Sequence, residues 1–110
     1  MGNPRMTLAT QLVLRALLSD LAREMYGLEI CAMAGLPSGT IHPILARLEA
    51  VGWLESRFED TPPQEVGRPR RRYYRFTQDG AEDARVALAR SSSKAKILPA
   101  TLRRIADGNA

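Results

Sequence analysis

The side chains able to do chemistry in this chain fall in two stretches. Residues 35–53 read G-L-P-S-G-T-I-H-P-I-L-A-R-L-E-A-V-G-W, with Thr40, His42 and Arg47 following a Ser-Gly pair. Residues 67–75 read G-R-P-R-R-R-Y-Y-R and carry Arg68, Arg70, Arg71, Arg72 and Arg75. A hydroxyl, an imidazole and a row of guanidinium groups are donors suited to base edges and phosphate oxygens. They do not form a catalytic set. The chain has one histidine and one cysteine, and no nucleophile–base spacing or paired carboxylates stand out. Gly67-Arg68-Pro69 is a turn, not a phosphate-cradling loop. Cys31 alone excludes an intramolecular disulfide framework and a multi-cysteine zinc site, and it reads as a buried helix residue. No enzyme activity, cofactor or metal is expected.

Bulk properties agree with an anionic partner. The chain has 110 residues, a formal charge of +4 and a pI near 9.8, enough for one small domain and an accessory element. No apolar run approaches the roughly 18 residues needed to span a bilayer. Met6 stands where a myristoylation motif needs Ser or Thr. A cytoplasmic protein without membrane association is expected.

The elements that must position these groups follow from periodicity. Ser38 is a candidate N-cap for a helix in which Ile41, Ile44, Leu45 and Leu48 form one apolar stripe, ended by Gly52. The opposite face then carries Thr40, His42, Pro43, Ala46 and Arg47. Upstream, residues 1–6 read as a mobile tail. Leu14, Leu17, Leu18 and Leu21 mark a helix over 7–20, and residues 20–25 read as a connection. Residues 26–34 make a second helix, with Leu28, Ile30, Cys31 and Ala34 available for burial and Gly35 as its stop. Two short helices around a tight glycine turn form a helix-turn-helix.

Downstream the period changes to two. Residues 53–60 alternate with Leu54 and Phe58 on one face, and residues 70–77 alternate in the same way. The Pro/Gly-rich stretch 61–69 between them reads as a loop. Setting Asp60 opposite Arg70 pairs Leu54 with Phe76, Glu55 with Arg75 and Glu59 with Arg71. Acids of the incoming strand neutralise some of the arginines but not Arg68 and Arg70 near the tip, which are expected, with Arg71 beside them, to meet phosphates or the minor groove. Thr77 can cap a further helix, broken at the serines 91–93. A last amphipathic segment carries Leu98, Leu102 and Ile105. The expected fold is mostly α with a small β hairpin: a winged helix-turn-helix of three helices and a two-stranded wing over residues 7–77, then a C-terminal helical region over 78–110.

Y-G-L-E-I (26–30), L-P-S-G-T-I-H-P-I-L-A-R-L-E (36–49), G-W-L-E-S-R (52–57) and G-R-P-R-R-R-Y-Y-R-F-T-Q-D-G (67–80) together resemble the PadR family of bacterial winged-helix transcriptional regulators. The resemblance covers about half of the chain, in the family's order. It implies a DNA-binding repressor, usually a homodimer joined through its C-terminal helices, and often released by a small-molecule effector. Two features depart from the family: His42 stands where a tyrosine is usual, and the C-terminal region is short. On this basis the backbone N–H groups of Ser38 and Gly39 are expected to hold a phosphate. Thr40 and His42 would read base edges, Pro43 would lie near a thymine methyl, and Arg47 would meet a phosphate or guanine. Leu98, Leu102 and Ile105 would form the dimer contact. The alternative is a winged-helix protein-interaction module without sequence-specific DNA binding, which requires Trp53 or Tyr73 exposed in an apolar patch.

Overall fold

The computed structural model describes residues 3–96, with side chains as far as residue 92. Its elements are α1 (Leu8–Leu18), β1 (Met25–Tyr26), α2 (Gly27–Ala34), α3 (Ser38–Ala50), β2 (Leu54–Phe58), α4 (Pro63–Val66), β3 (Arg72–Phe76) and α5 (Gln78–Lys96). Thr7 starts α1 by accepting the Thr10 backbone N–H at 3.1 Å. The inward face of α1 is Thr10, Val13, Leu14, Ala16 and Leu17. Leu21, expected in the stripe, lies beyond the helix end and is 44% exposed, because the helix stops one turn before the periodicity does.

The expected connection 20–25 ends in a strand. β1 pairs antiparallel with β3, Met25 opposite Tyr74 and Tyr26 opposite Tyr73, so the sheet has three strands in the order β1-β3-β2 and not two. Two residues are too few for alternation to show in sequence, but they satisfy the otherwise open edge of β3. The second helix therefore starts at Gly27. Ile30 and Ala34 are buried as expected and Cys31 partly so, whereas Leu28 is 70% exposed.

Helix α3 also begins differently. Pro37, in an extended conformation, is its N-cap, and Ser38 is its first helical residue with no side-chain cap. The Pro37 carbonyl accepts the N–H groups of Thr40 and Ile41 at 3.0 and 3.1 Å. The stripe Ile41, Ile44, Leu45 and Leu48 is buried as the spacing predicts. Gly35 and Gly52 both take positive φ, 70° and 82°, where a Cβ would be strained. They close α2 and lead the chain from α3 into β2.

The hairpin has the expected register, with Leu54 opposite Phe76 and Glu55 opposite Arg75, and Glu59 N–H bonded to the Arg71 carbonyl at 2.9 Å. The tip is not all loop: α4 forms there, with Pro63 in its first turn, where a missing N–H costs nothing. Thr77 Oγ1 accepts the Gly80 N–H at 3.0 Å and so caps α5. Helix α5 continues through the serines at 91–93, correcting the expected break. The Ser91 hydroxyl bonds back to the Ala87 carbonyl at 3.0 Å, an arrangement compatible with helix. Ala84 and Ala87 of α5 join Trp53, Leu54, Met25 and Tyr74 and the three helical stripes in one core. Leu98, Leu102 and Ile105 lie outside the described residues.

Candidate nucleic-acid interface

Burying Ile41, Ile44, Leu45 and Leu48 turns the other face of α3 outward. Ser38, Gly39, His42, Pro43, Ala46 and Arg47 are exposed and Thr40 is half-buried. Thr40 and Ile41 are the first N–H groups of α3 to find carbonyls, which leaves those of Ser38 and Gly39 without an intramolecular acceptor among the described residues. Such a helix start attracts anions through its free N–H groups and the helix dipole.

Pro43 lies inside α3. It removes the N–H that would reach the Gly39 carbonyl and crowds the turn before it. Gly39 is exposed, so water can take the missing donor's place. Pro43→Ala is expected to raise stability by roughly 1–3 kcal/mol, the usual scale of a helix-interior proline, read as a higher melting temperature.

His42 rests on the start of α2. A Cβ added to Gly27 would lie 3.2 Å from His42 Cε1, so the absent side chain at Gly27 makes room for the ring. A cleft of about 490 Å³ opens beside it, lined in part by Ser38, His42, Arg68, Arg70 and Arg71. Residues nearly thirty positions apart in sequence thus share one concave surface. Thr40, Gly39, Pro43 and Arg47 are not part of its lining.

The wing arginines are not equivalent. Arg75 Nε donates to Glu55 at 2.6 Å. Arg72 Nε donates to Ser56 Oγ at 2.8 Å, and its guanidinium lies 5.3 Å from the Phe58 ring centre and 3.4 Å from Glu49. Arg71 stacks over Tyr26 at 4.0 Å, a cation–π contact. Tyr26 meets Tyr73 edge-to-face at 5.6 Å, and Arg57 lies over Tyr73 at 5.5 Å while bonding Glu24 at 2.9 Å. Arg70 is exposed and has no acidic partner among the described residues.

Arg68 departs from expectation. It was expected to stand clear of acids, yet both its terminal nitrogens donate to the Glu59 carboxylate, Nη2 at 3.2 Å. The same carboxylate accepts the Arg71 backbone N–H at 3.0 Å. The hairpin register sets the Glu59 backbone opposite Arg71, but α4 turns the chain so that Arg68 comes within reach. These bonds, Arg68 first and then the Arg71 N–H, hold the Glu59 carboxyl below the ordinary carboxylate range. A depressed native pKa stabilises the fold above that range, and the contribution is lost as pH falls through the lowered value. Burial pushes the Tyr74 hydroxyl up.

Tyr26 and Gly27 also line the cleft and are candidate site residues that sequence reasoning missed. They read as a helix start, and the one signal was their place in Y-G-L-E-I. The feature required of a protein-interaction module is absent: Trp53 is 4% exposed and in the core, and Tyr73 is covered by Tyr26 and Arg57. No described helix is long and apolar enough to cross a membrane.

Residues 14–86 match the transcriptional regulator PadR-like family. No curated protein matches the chain significantly. Among solved structures, a PadR family transcription regulator from Clostridium difficile is 23% identical, with a TM-score of 0.63, covering 83% of this chain and 94% of that one. A Streptococcus mutans protein is 26% identical with a TM-score of 0.60, covering 100% and 97%. Bordetella bronchiseptica BpsR, described with regulation of its DNA binding by 6-hydroxynicotinic acid, is 19% identical with a TM-score of 0.60, covering 96% and 76%.

Proposed function

The chain belongs to the transcriptional regulator PadR-like family, and from that premise we propose that it is a sequence-specific repressor which binds a pseudo-palindromic operator as a homodimer. The observation that carries this reading is the common cleft between the start of α3 and the basic wing tip. An exposed helix start suits the major groove, and an arginine-bearing tip beside it suits the flanking backbone. In this reading Thr40 and His42 read base edges, Pro43 lies against a thymine methyl, and Arg47 meets a phosphate or guanine. The N–H groups of Ser38 and Gly39 hold a phosphate. On the wing, Arg70 and Arg71 make the backbone contacts, with Arg68 adjoining. Two subunits joined through their C-terminal regions, Leu98, Leu102 and Ile105 included, place their α3 helices about one helical turn of DNA apart. Repression follows from covering a promoter.

A small-molecule effector is part of the proposal by analogy with the Bordetella protein. Trp53 and Met25 are core residues, so an effector site would have to be built from other groups.

Selection of bound duplexes from a random library by the purified protein tests the whole reading. A palindrome with half-sites one turn apart is the expected product, and recovery of no preferred sequence rejects it. Thr40→Ala is expected to change the preferred base at one position of each half-site, by about 1–3 kcal/mol of discrimination, the scale of a good base contact. Binding to random duplex should change little. A Thr40→Ala protein that selects the parental operator unchanged removes Thr40 from the base-reading set.

A further inference from the structure

The wing tip contains a built anion site, and a side chain of the wing itself fills it. Arg68 directs two guanidinium nitrogens, and Arg71 its backbone N–H, at one carboxylate, that of Glu59. A fork of N–H donors converging on a pair of oxygens is also how proteins hold a phosphate group. Arg70, the neighbouring cation, has no such partner among the described residues. The Glu59 side chain is only 13% exposed, and Arg68 is 34% exposed. The pair is therefore partly sheltered, unlike the ion pair of Arg75 with Glu55, at 59% and 48%, which salt and water screen more strongly.

We propose that Glu59 is an internal competitor for the wing's phosphate site: its carboxylate occupies Arg68 in the free protein and must be displaced before Arg68 can take a DNA phosphate. The proposal rests on the DNA-binding reading above and deepens it. Two consequences follow from the geometry. In the resting wing, Arg70 and the Tyr26-stacked Arg71 present their charge first. The affinity for DNA of any sequence is held below what the arginine count implies, because one cation in each wing is matched by an anion of the same hairpin. Glu59 touches no base in this scheme, so it sets strength without setting sequence.

Glu59→Gln tests this. The amide oxygen can still accept the Arg71 N–H, so the tip keeps its backbone bond, but the charge that occupies Arg68 is gone. Affinity for a random-sequence duplex is expected to rise, by roughly eightfold per wing at 0.1 M salt. That is the gain from one added phosphate contact, which also steepens the log-affinity against log-salt slope by about 0.9. The sequence preference recovered from a library should stay that of the parent. Adding Arg68→Ala to Glu59→Gln should abolish the gain. If Glu59→Gln fails to give a cooperative thermal transition, Arg68→Lys serves instead. Lysine keeps the charge but cannot bridge both carboxylate oxygens, so binding should again tighten and the slope steepen. A folded Glu59→Gln protein, or in its place a folded Arg68→Lys protein, that binds random duplex no more tightly than the parent overturns the proposal. It would mean that Glu59 only shapes the wing. A parent protein that binds no duplex in a salt-dependent way overturns the DNA-binding reading instead, so the two failures are distinct.

Discussion

Gly80→Ala is expected to destabilise this protein by at least about 3 kcal/mol, the upper range for forcing atoms into a packed site. The melting temperature should fall by roughly 12–24 °C, at about 4–8 °C per kcal/mol for a domain of this size. Helix propensity alone predicts the reverse, because alanine in a helix is worth about 0.5–1 kcal/mol over glycine. Packing decides the sign. Gly80 lies in the first turn of α5, is buried, and donates its N–H to the capping Thr77 hydroxyl at 3.0 Å. An alanine Cβ there would overlap the Trp53 carbonyl oxygen and lie 2.7 Å from both the Trp53 carbonyl carbon and Thr77 Oγ1. Neither a backbone carbonyl nor a capping hydroxyl can move aside cheaply. The same carbonyl accepts the Thr77 N–H at 3.0 Å, and the Thr77 hydroxyl donates to the Gly52 carbonyl at 2.8 Å. One added methyl group therefore strains the joint that ties the end of β3, the start of β2 and α5 together. Gly39→Ala is the matched control, since a Cβ there meets nothing within 4 Å. Thermal denaturation followed by circular dichroism should show a large loss for the first variant and none for the second. Equal stability of Gly80→Ala and the parent would mean that α5 does not pack on Trp53 in this way.

The second large effect is on binding. Operator affinity is expected to fall by about a thousandfold or more between roughly 50 and 200 mM salt, as for proteins that neutralise six or more phosphates. Arg47, Arg70 and Arg71 provide three cations per subunit in the proposed complex, and a dimer doubles them. Each neutralised phosphate releases condensed counterions, which is why the loss follows a power of the salt concentration. Arg70→Ala should flatten the slope by about 0.9 for each subunit, and by the same amount on every duplex. A titration series by fluorescence anisotropy at several salt concentrations reads both quantities. Affinity that is insensitive to salt over this range would exclude backbone-driven DNA binding.

Local patterns carried much of this protein because they report directly on burial. The α3 stripe and the β2–β3 register were both legible, since in each case only one phase puts apolar residues inward and opposite charges face to face. The cap made by Thr77 was legible for a similar reason: a single hydroxyl before an alanine-rich run has few other uses. Where competing local choices were close in energy, neighbours in space made the decision. Ser38 read as the residue before a helix, and in the fold it is the first helical residue, with Pro37 as the cap. The prolines of the tip read as breakers but placed one of their number in the first turn of α4.

The helix-turn-helix with its outward α3 face, the alternating wing strands and the excess of arginine at the tip were legible in the chain, because periodicity, capping and charge act over a few residues. The folded chain was needed to see that β1 closes the sheet edge, that Gly27 makes room for His42, that a Cβ at Gly80 would meet the Trp53 carbonyl and that Glu59 occupies Arg68. Each of these is a meeting of groups from separate parts of the chain. The physical reason is common to them: hydrogen bonds and steric contacts depend on distances of a few tenths of an ångström across the fold, and spacing along the chain does not encode such distances.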